Sequence, residues 1–309
     1  MKTSLTMPGI YAVSDSAYLF DPVMVPSLNR SIAKVLCELS PAHARAAHPR
    51  LNNTITTKHS EEMEVGTAAH ATFLRGEKVV ELVDVDDWRT KAARETRDAI
   101  RAEGRVPLKR ENYGAVQSIV ERLRQFRDET GAFTDGKPER TIIWQEGIIW
   151  CRVKPDWLPN EPSASLWDLK VTDGHATLAA FTRTLYATGG DIQASFYPRG
   201  AECVRGEPPD GMKFCVIEAH PPHGIKVFQL TPVALGIADS KVRYAIERWT
   251  WAMGSGEWPS YDVAPEWIDP PGWAMREWEG LMLARSTSPR LRWNDEGAQR
   301  FIDARQFGG

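Results

Sequence analysis

Two short stretches, 148–156 and 165–171, are joined by the turn Pro159-Asn160-Glu161-Pro162-Ser163, and this pairing restricts the fold more than any other feature. Both stretches are rich in aromatic and branched residues, the composition of β-strands. The Pro- and Asn-containing break reads as a turn. Two strands so connected lie side by side and antiparallel. The first closes on Pro155-Asp156, and the second carries Asp168-Leu169-Lys170. Side chains alternate along a strand, so Asp168 and Lys170 share one face and Leu169 takes the other. Two carboxylates and one ammonium then meet at one edge of a sheet, a grouping that suits a divalent metal and a phosphodiester. The plain alternative for these three residues is a surface ion pair.

The surrounding pattern extends the sheet. A strand over 139–144 pairs with 148–156 through Glu146-Gly147. Helices are expected over 176–187 and 191–204, strands over 212–219 and 225–230, and a helix over 232–253. Upstream, Ser27 is placed to cap a helix that ends near Ser40-Pro41. A short helix follows over 42–47. A helix over 61–74 has Met63, Ala68, Ala71 and Leu74 at helical spacing and carries His70. A strand over 79–85 and helices over 88–102 and 111–126 complete the first half. The expected class is α/β, a mixed central sheet flanked by helices with helical N-terminal additions.

The chain of elements resembles the PD-(D/E)XK nuclease superfamily, with Pro155-Asp156 and Asp168-Leu169-Lys170 as its motif and an αβββαβ, restriction-endonuclease-like core as its implied fold. Gln193-Ala194-Ser195-Phe196-Tyr197 matches the Gln-x-x-x-Tyr element of the RecB-like branch. Gly66-Thr67-Ala68-Ala69-His70 matches that branch's helical metal-ligand element. The segment 26–34 and Ser40-Pro41-Ala42-His43 are similar to exodeoxyribonuclease VIII (RecE-like) domains of phages and prophages. The resemblance implies Mg²⁺ or Mn²⁺ held by His70, Asp156, Asp168 and the Leu169 carbonyl. It also implies Gln193 and Tyr197 against the DNA backbone, 5′-to-3′ digestion of duplex ends, a single-strand annealing partner and a ring-like homo-oligomer. A single-strand or flap nuclease of the same branch and a non-catalytic DNA-binding scaffold are the alternatives.

Lys170 either positions the attacking water or stabilises charge at the phosphate. A cation beside two carboxylates keeps a high pKa, which favours the electrostatic role over a neutral base. Glu146, at the start of the strand leading to Asp156, is either a second metal-site carboxylate or a turn residue. Gln193 and Tyr197 lie one helical turn apart, and their other reading is a packing stripe. The remaining histidines, His43, His48, His59, His175, His220 and His223, receive no role.

Composition sets limits. The chain has 309 residues, 42% hydrophobic and 26% charged, as for an ordinary globular protein of one large or two modest domains. The expected division is an arm over 1–25, a nuclease domain over 26–285 and a polar tail over 286–309. No apolar run reaches the length of a membrane span, and the first residues lack a signal-peptide core. A cytoplasmic protein without membrane contact is the expectation. Cys37, Cys151, Cys203 and Cys215 form no C-x-x-C pair, so neither a zinc ribbon nor an iron–sulfur cluster is expected, and the thiols read as reduced and mostly buried. The net charge of −3 gives no global attraction for DNA. Any grip must be local, and Arg94, Arg97, Arg101 and Arg105 supply the most basic stretch, either as a channel wall or as a solvated helix face. Trp258, Trp267, Trp273 and Trp278 are expected to cover an edge of the core.

Overall fold

A computed structural model describes residues 4–52 and 64–287. The elements are β1 (Gly9–Ala12), α1 (Asp15–Leu19), α2 (Arg30–Glu38), α3 (Pro41–Ala47), α4 (Glu64–Arg75), β2 (Val80–Val83), α5 (Lys91–Ala102), β3 (Val106–Lys109) and α6 (Tyr113–Thr130). They continue with β4 (Gly136–Pro138), β5 (Arg140–Glu146), β6 (Ile149–Val153), β7 (Trp157–Pro159), β8 (Leu166–Thr172), α7 (Leu178–Thr188) and α8 (Gly190–Arg205). Last come β9 (Met212–Glu218), β10 (Ile225–Phe228), α9 (Pro232–Ser255) and α10 (Gly272–Thr287).

The central sheet runs β10-β9-β8-β7-β4, with β8 and β9 parallel and the other pairs antiparallel. A second sheet, β1-β5-β6, is antiparallel. A third pairs β2 with β3 in parallel. Alternation along β8 sorts its two faces. Leu166 joins Phe214, Val216 and side chains of α2, α8 and α9 in one core. Leu169 joins Cys215, Ile217 and side chains of α4 and α6 in the other. The sheet therefore lies between two helical layers, the mixed α/β architecture expected from the pattern. Gly200 lets α8 approach β5 closely, since a Cβ there would fall 2.6 Å from the Trp144 ring.

Several elements differ from expectation. The strand over 148–156 is interrupted after Val153, because Pro155 has no N–H to give a ladder. On the facing chain Glu139 takes φ of +49°, between β4 and β5, a conformation uncommon for any residue but glycine. Its N–H still bonds the Asp156 carbonyl at 3.0 Å. The two sheets thus part at Glu139 and Asp156. Asn29, not Ser27, caps α2, its side chain accepting from the Ile32 N–H. The start of the helix expected over 61–74 lies outside the described residues.

The expected N-terminal arm is part of the fold. β1 pairs with β5, and Leu28 exchanges backbone hydrogen bonds with Trp150 and Arg152. Ser27 and Asp21 are buried with Arg152 and His48. Asp21 accepts from the Ser27 N–H and hydroxyl at 2.7 and 2.8 Å, and lies 3.2 Å from both Arg152 and His48. Arg152 donates to the Ser27 carbonyl at 2.7 Å. Among the described residues its Nε and Nη2 have no hydrogen-bond acceptor, and its guanidinium lies over the Tyr18 ring.

The chain divides into compact units at Tyr261/Asp262 rather than near 285. Trp258 covers the core of the first unit, packed edge-on against Trp249. In the second unit, Trp267, Trp273 and Trp278 are exposed, contrary to the expected covering role. The polar tail beyond 287 lies outside the described residues. Cys151 and Cys215 are buried and Cys37 half-buried, but Cys203 is exposed. No helix among the described residues is long and apolar enough to cross a membrane.

Candidate active site

Four elements bring the expected residues together. The interruption after β6 presents Asp156, β8 presents Asp168 and Lys170, α4 presents His70 and α8 presents Gln193. His70 Nε2 lies 3.0 Å from Asp156 Oδ2. The same oxygen accepts from the Leu169 N–H at 2.7 Å, so the Leu169 backbone faces Asp156. Lys170 Nζ is paired with Asp168 Oδ2, and Gln193 Nε2 donates to Asp168 Oδ1. The sequence-derived pair of carboxylates with an adjacent lysine is therefore one physical cluster.

Its electrostatics set the two acids apart. Burial would raise the Asp156 carboxyl, but His70, Lys170 and the Leu169 N–H overcome it and hold the pKa at about 2. Asp168 moves the other way. Burial and the neighbouring Asp156 charge raise it, against the opposing pull of Lys170 and Gln193. Burial lowers His70, yet Asp156 and Glu139 outweigh it and raise its pKa. Gln193 Oε1 is buried without a hydrogen-bond partner among the described residues. The centre thus keeps buried oxygen lone pairs that its own donors do not satisfy.

That surplus fits a hard divalent cation. Mg²⁺ favours carboxylate oxygen and keeps several waters, so one or two carboxylates suffice. Among the described residues no three His, Cys, Asp or Glu side chains form a ready-made cage. Asp156 is gripped by His70 and Asp168 by Lys170 and Gln193, so the candidate ligands are engaged with one another. Asp156, Asp168, His70 and the Leu169 carbonyl are the groups that would hold the ion.

Other expected residues fall differently. Glu146 is not at this centre. Register pairs Glu146 with Ile149 and Ile142 with Val153, so Glu146 lies at the turn end of the hairpin and Asp156 beyond its other end. At about 3.4 Å per residue the separation along the strand exceeds about 13 Å. There Glu146 accepts from Arg199 at 2.6 and 3.0 Å and from Trp144 at 2.9 Å. Gln193 and Tyr197 are buried, so the expected backbone contact with DNA is not formed by exposed side chains. Gln193 instead holds Asp168. The α5 arginines are set on the unit built around β3, whose Lys109 N–H bonds Glu64 at the start of α4. Arg94 and Arg101 are exposed. Arg97 pairs with Asp98, and Arg105 is paired with Glu81 and Glu103, which neutralises the charge expected to meet phosphate.

The structure adds Glu139, Arg75 and Lys154. Glu139 Oε1 lies 3.9 Å from His70 Nδ1, and its Oε2 lies 3.4 Å from Arg75 and 3.9 Å from Lys154. A group bonded to the second nitrogen of a metal-ligating histidine fixes its orientation, and Glu139 stands on that side of His70. In sequence Glu139 reads only as the polar start of a strand. Its turned backbone is what aims it inward.

Comparison with known proteins agrees with the fold. A solved protein from Eubacterium rectale, titled "Putative exonuclease", superposes with a TM-score of 0.53 at 14% identity, over 80% of this chain and 90% of its own. That likeness concerns the fold. No curated protein matches the chain. Residues 29–266 match the family described as "PDDEXK-like domain of unknown function (DUF3799)", with Asp156, Asp168, Lys170, His70 and Gln193 all inside the match. The chain belongs to this PDDEXK-like family.

Proposed function

We propose that the protein is a metal-dependent deoxyribonuclease. The observation that carries this reading is the cluster of Asp156, Asp168, Lys170 and His70, with the Leu169 backbone facing Asp156. A phosphodiester resists attack because its oxygens are already negative. A bound divalent ion supplies an activated water and charge compensation at the phosphoryl oxygen. The residues do the rest. Asp156, Asp168, His70 and the Leu169 carbonyl would hold the cation, Gln193 fixes Asp168, and Lys170 orients water or meets the charge developing on phosphate.

In finer terms, the substrate is duplex DNA at an end, digested 5′ to 3′ to leave a single strand for an annealing partner. This rests on the similarity of 26–43 to RecE-like domains. Exposed Arg94 and Arg101 are the candidates for contact with the duplex backbone. The test is nucleotide release from linear duplex, nicked circle and single strand with Mg²⁺ or Mn²⁺. Activity on the linear duplex alone is expected, and EDTA should abolish it. Undiminished hydrolysis after dialysis into chelator would exclude the mechanism.

His70→Ala separates binding from chemistry. It is expected to raise the half-saturating Mn²⁺ concentration by at least about tenfold, the loss seen when even outer partners of metal ligands are removed. Turnover at saturating metal should fall by less. An unaltered metal titration would make His70 a packing residue.

A further inference from the structure

The N-terminal segment is tied down at both ends, by β1 on β5 and by Asp21 in the Arg152 network. Between these anchors it carries α1, a single short helix with no buried residue. Leu19 and Phe20 are 52% and 58% exposed, while the Tyr18 ring lies against Arg152 and Lys154. Charge ties the stretch down as well. One oxygen of Asp15 is paired with Lys154, and the other lies 3.2 Å from Arg75. The Asp15 side chain is half exposed, whereas that of Lys154 is 10% exposed. Both cations also approach Glu139, which stands against His70. Two cations therefore lie one side chain away from the catalytic histidine, each holding a different oxygen of one exposed carboxylate.

A phosphodiester offers the same pattern, two non-bridging oxygens sharing one negative charge. Arginine and lysine are the side chains that recognise it. Asp156 and Asp168 carry no donor for a phosphate, and Arg105 is neutralised by two glutamates. Cations beside the centre are therefore needed to seat the strand. We propose that Lys154 and Arg75 form a phosphate subsite for the strand next to the scissile bond, with Asp15 as an internal anion that substrate displaces. The subsite rests on the nuclease reading above. Exchanging one anion for another keeps both cations paired, and the Asp15 end of each pair is half exposed, so its hold is modest.

The test is equilibrium binding of a fluorescent DNA duplex to the full chain in EDTA, titrated with salt. Asp15→Asn is expected to tighten binding about threefold to tenfold, the range two weak ion pairs supply. Lys154→Gln and Arg75→Gln should each weaken binding and reduce the log–log salt slope by about one. On the Lys154→Gln/Arg75→Gln background, Asp15→Asn should have no effect. The exposed, isosteric Asp15→Asn change leaves the fold in place, so it decides the matter even if a Lys154 variant is unstable. Unchanged or weaker binding by Asp15→Asn, while the parent binds and cleaves DNA, overturns the subsite and leaves the nuclease reading standing. A parent chain that neither binds nor cleaves DNA overturns the nuclease reading instead.

Discussion

Asp168→Asn is expected to lower turnover at saturating metal by about a hundredfold to a thousandfold while the fold persists, the scale on which removal of a preorganised electrostatic group acts. The side chain is almost wholly buried, and its shape is kept by Asn. What is lost is the charge that would hold a cation and pair with Lys170. The charged form is itself unfavourable in the metal-free protein. Burial and Asp156 raise the folded pKa above the unfolded one. For an acid raised in this way, stability falls as pH climbs from the unfolded value through the folded value. Asn removes that penalty, so the metal-free melting temperature at neutral pH should stay level or rise. The parent should gain thermal stability on addition of Mg²⁺ through preferential binding to the folded state. The variant should gain far less. Near-normal turnover, or an undiminished Mg²⁺-dependent rise in melting temperature, would contradict the assignment of Asp168.

Arg152→Met is expected to destabilise the protein by about 3–5 kcal/mol, the usual consequence of removing one partner from a buried ion pair. The Arg152 side chain is fully buried and serves the Ser27 carbonyl, the Ser27 hydroxyl and Asp21. Without it Asp21 keeps its charge in the interior with fewer donors. Asp21→Leu combined with Arg152→Met should recover part of the loss, because the stranded charge goes too. The network also shapes the acid limb. Burial opposes ionisation of Asp21, but His48, Arg152 and Ser27 together hold its pKa below the ordinary carboxylate value. This contribution is present above the unfolded pKa of about 4. It disappears as pH falls from there through the depressed folded value. Urea unfolding at pH 7 and pH 3 reads both effects. Equal midpoints for parent and Arg152→Met at pH 7 would show that the network adds nothing net.

How legible each part was in the sequence follows from the range of the forces involved. The strands of β5, β6, β8 and β9 were readable because alternation and turn chemistry are local. Asp156, Asp168 and Lys170 could be placed together because the chain between them is short, although the expected pairing of 148–156 with 165–171 is not formed: β6 lies in the other sheet, and β7, which follows Asp156, pairs with β8 instead. Glu146 shows where the same reasoning fails. It belongs to the same hairpin, but register places it at the opposite end from Asp156. Glu139, with no sequence signal beyond a strand-start carboxylate, reaches the centre through a left-handed backbone and the break at Pro155. Asp15 reaches Lys154 and Arg75 by a tertiary path that no local pattern encodes. Ser27 looked like a helix cap because a small hydroxyl residue stood in the right place. The buried demand of Arg152 and Asp21 claimed it first.

The parallel pairing of β8 with β9 has a consequence for the order in which the molecule comes into being. These strands are adjacent in space but separated along the chain by α7 and α8. Such non-local pairing has to meet the entropy of closing the intervening loop before its contacts reward it, and it forms slowly. Asp168 depends on α8 for Gln193 and on β9 for the strand beneath it. A chain still emerging from the ribosome can therefore display both carboxylates and the lysine without having an assembled centre. The candidate centre is complete only when that crossover has formed.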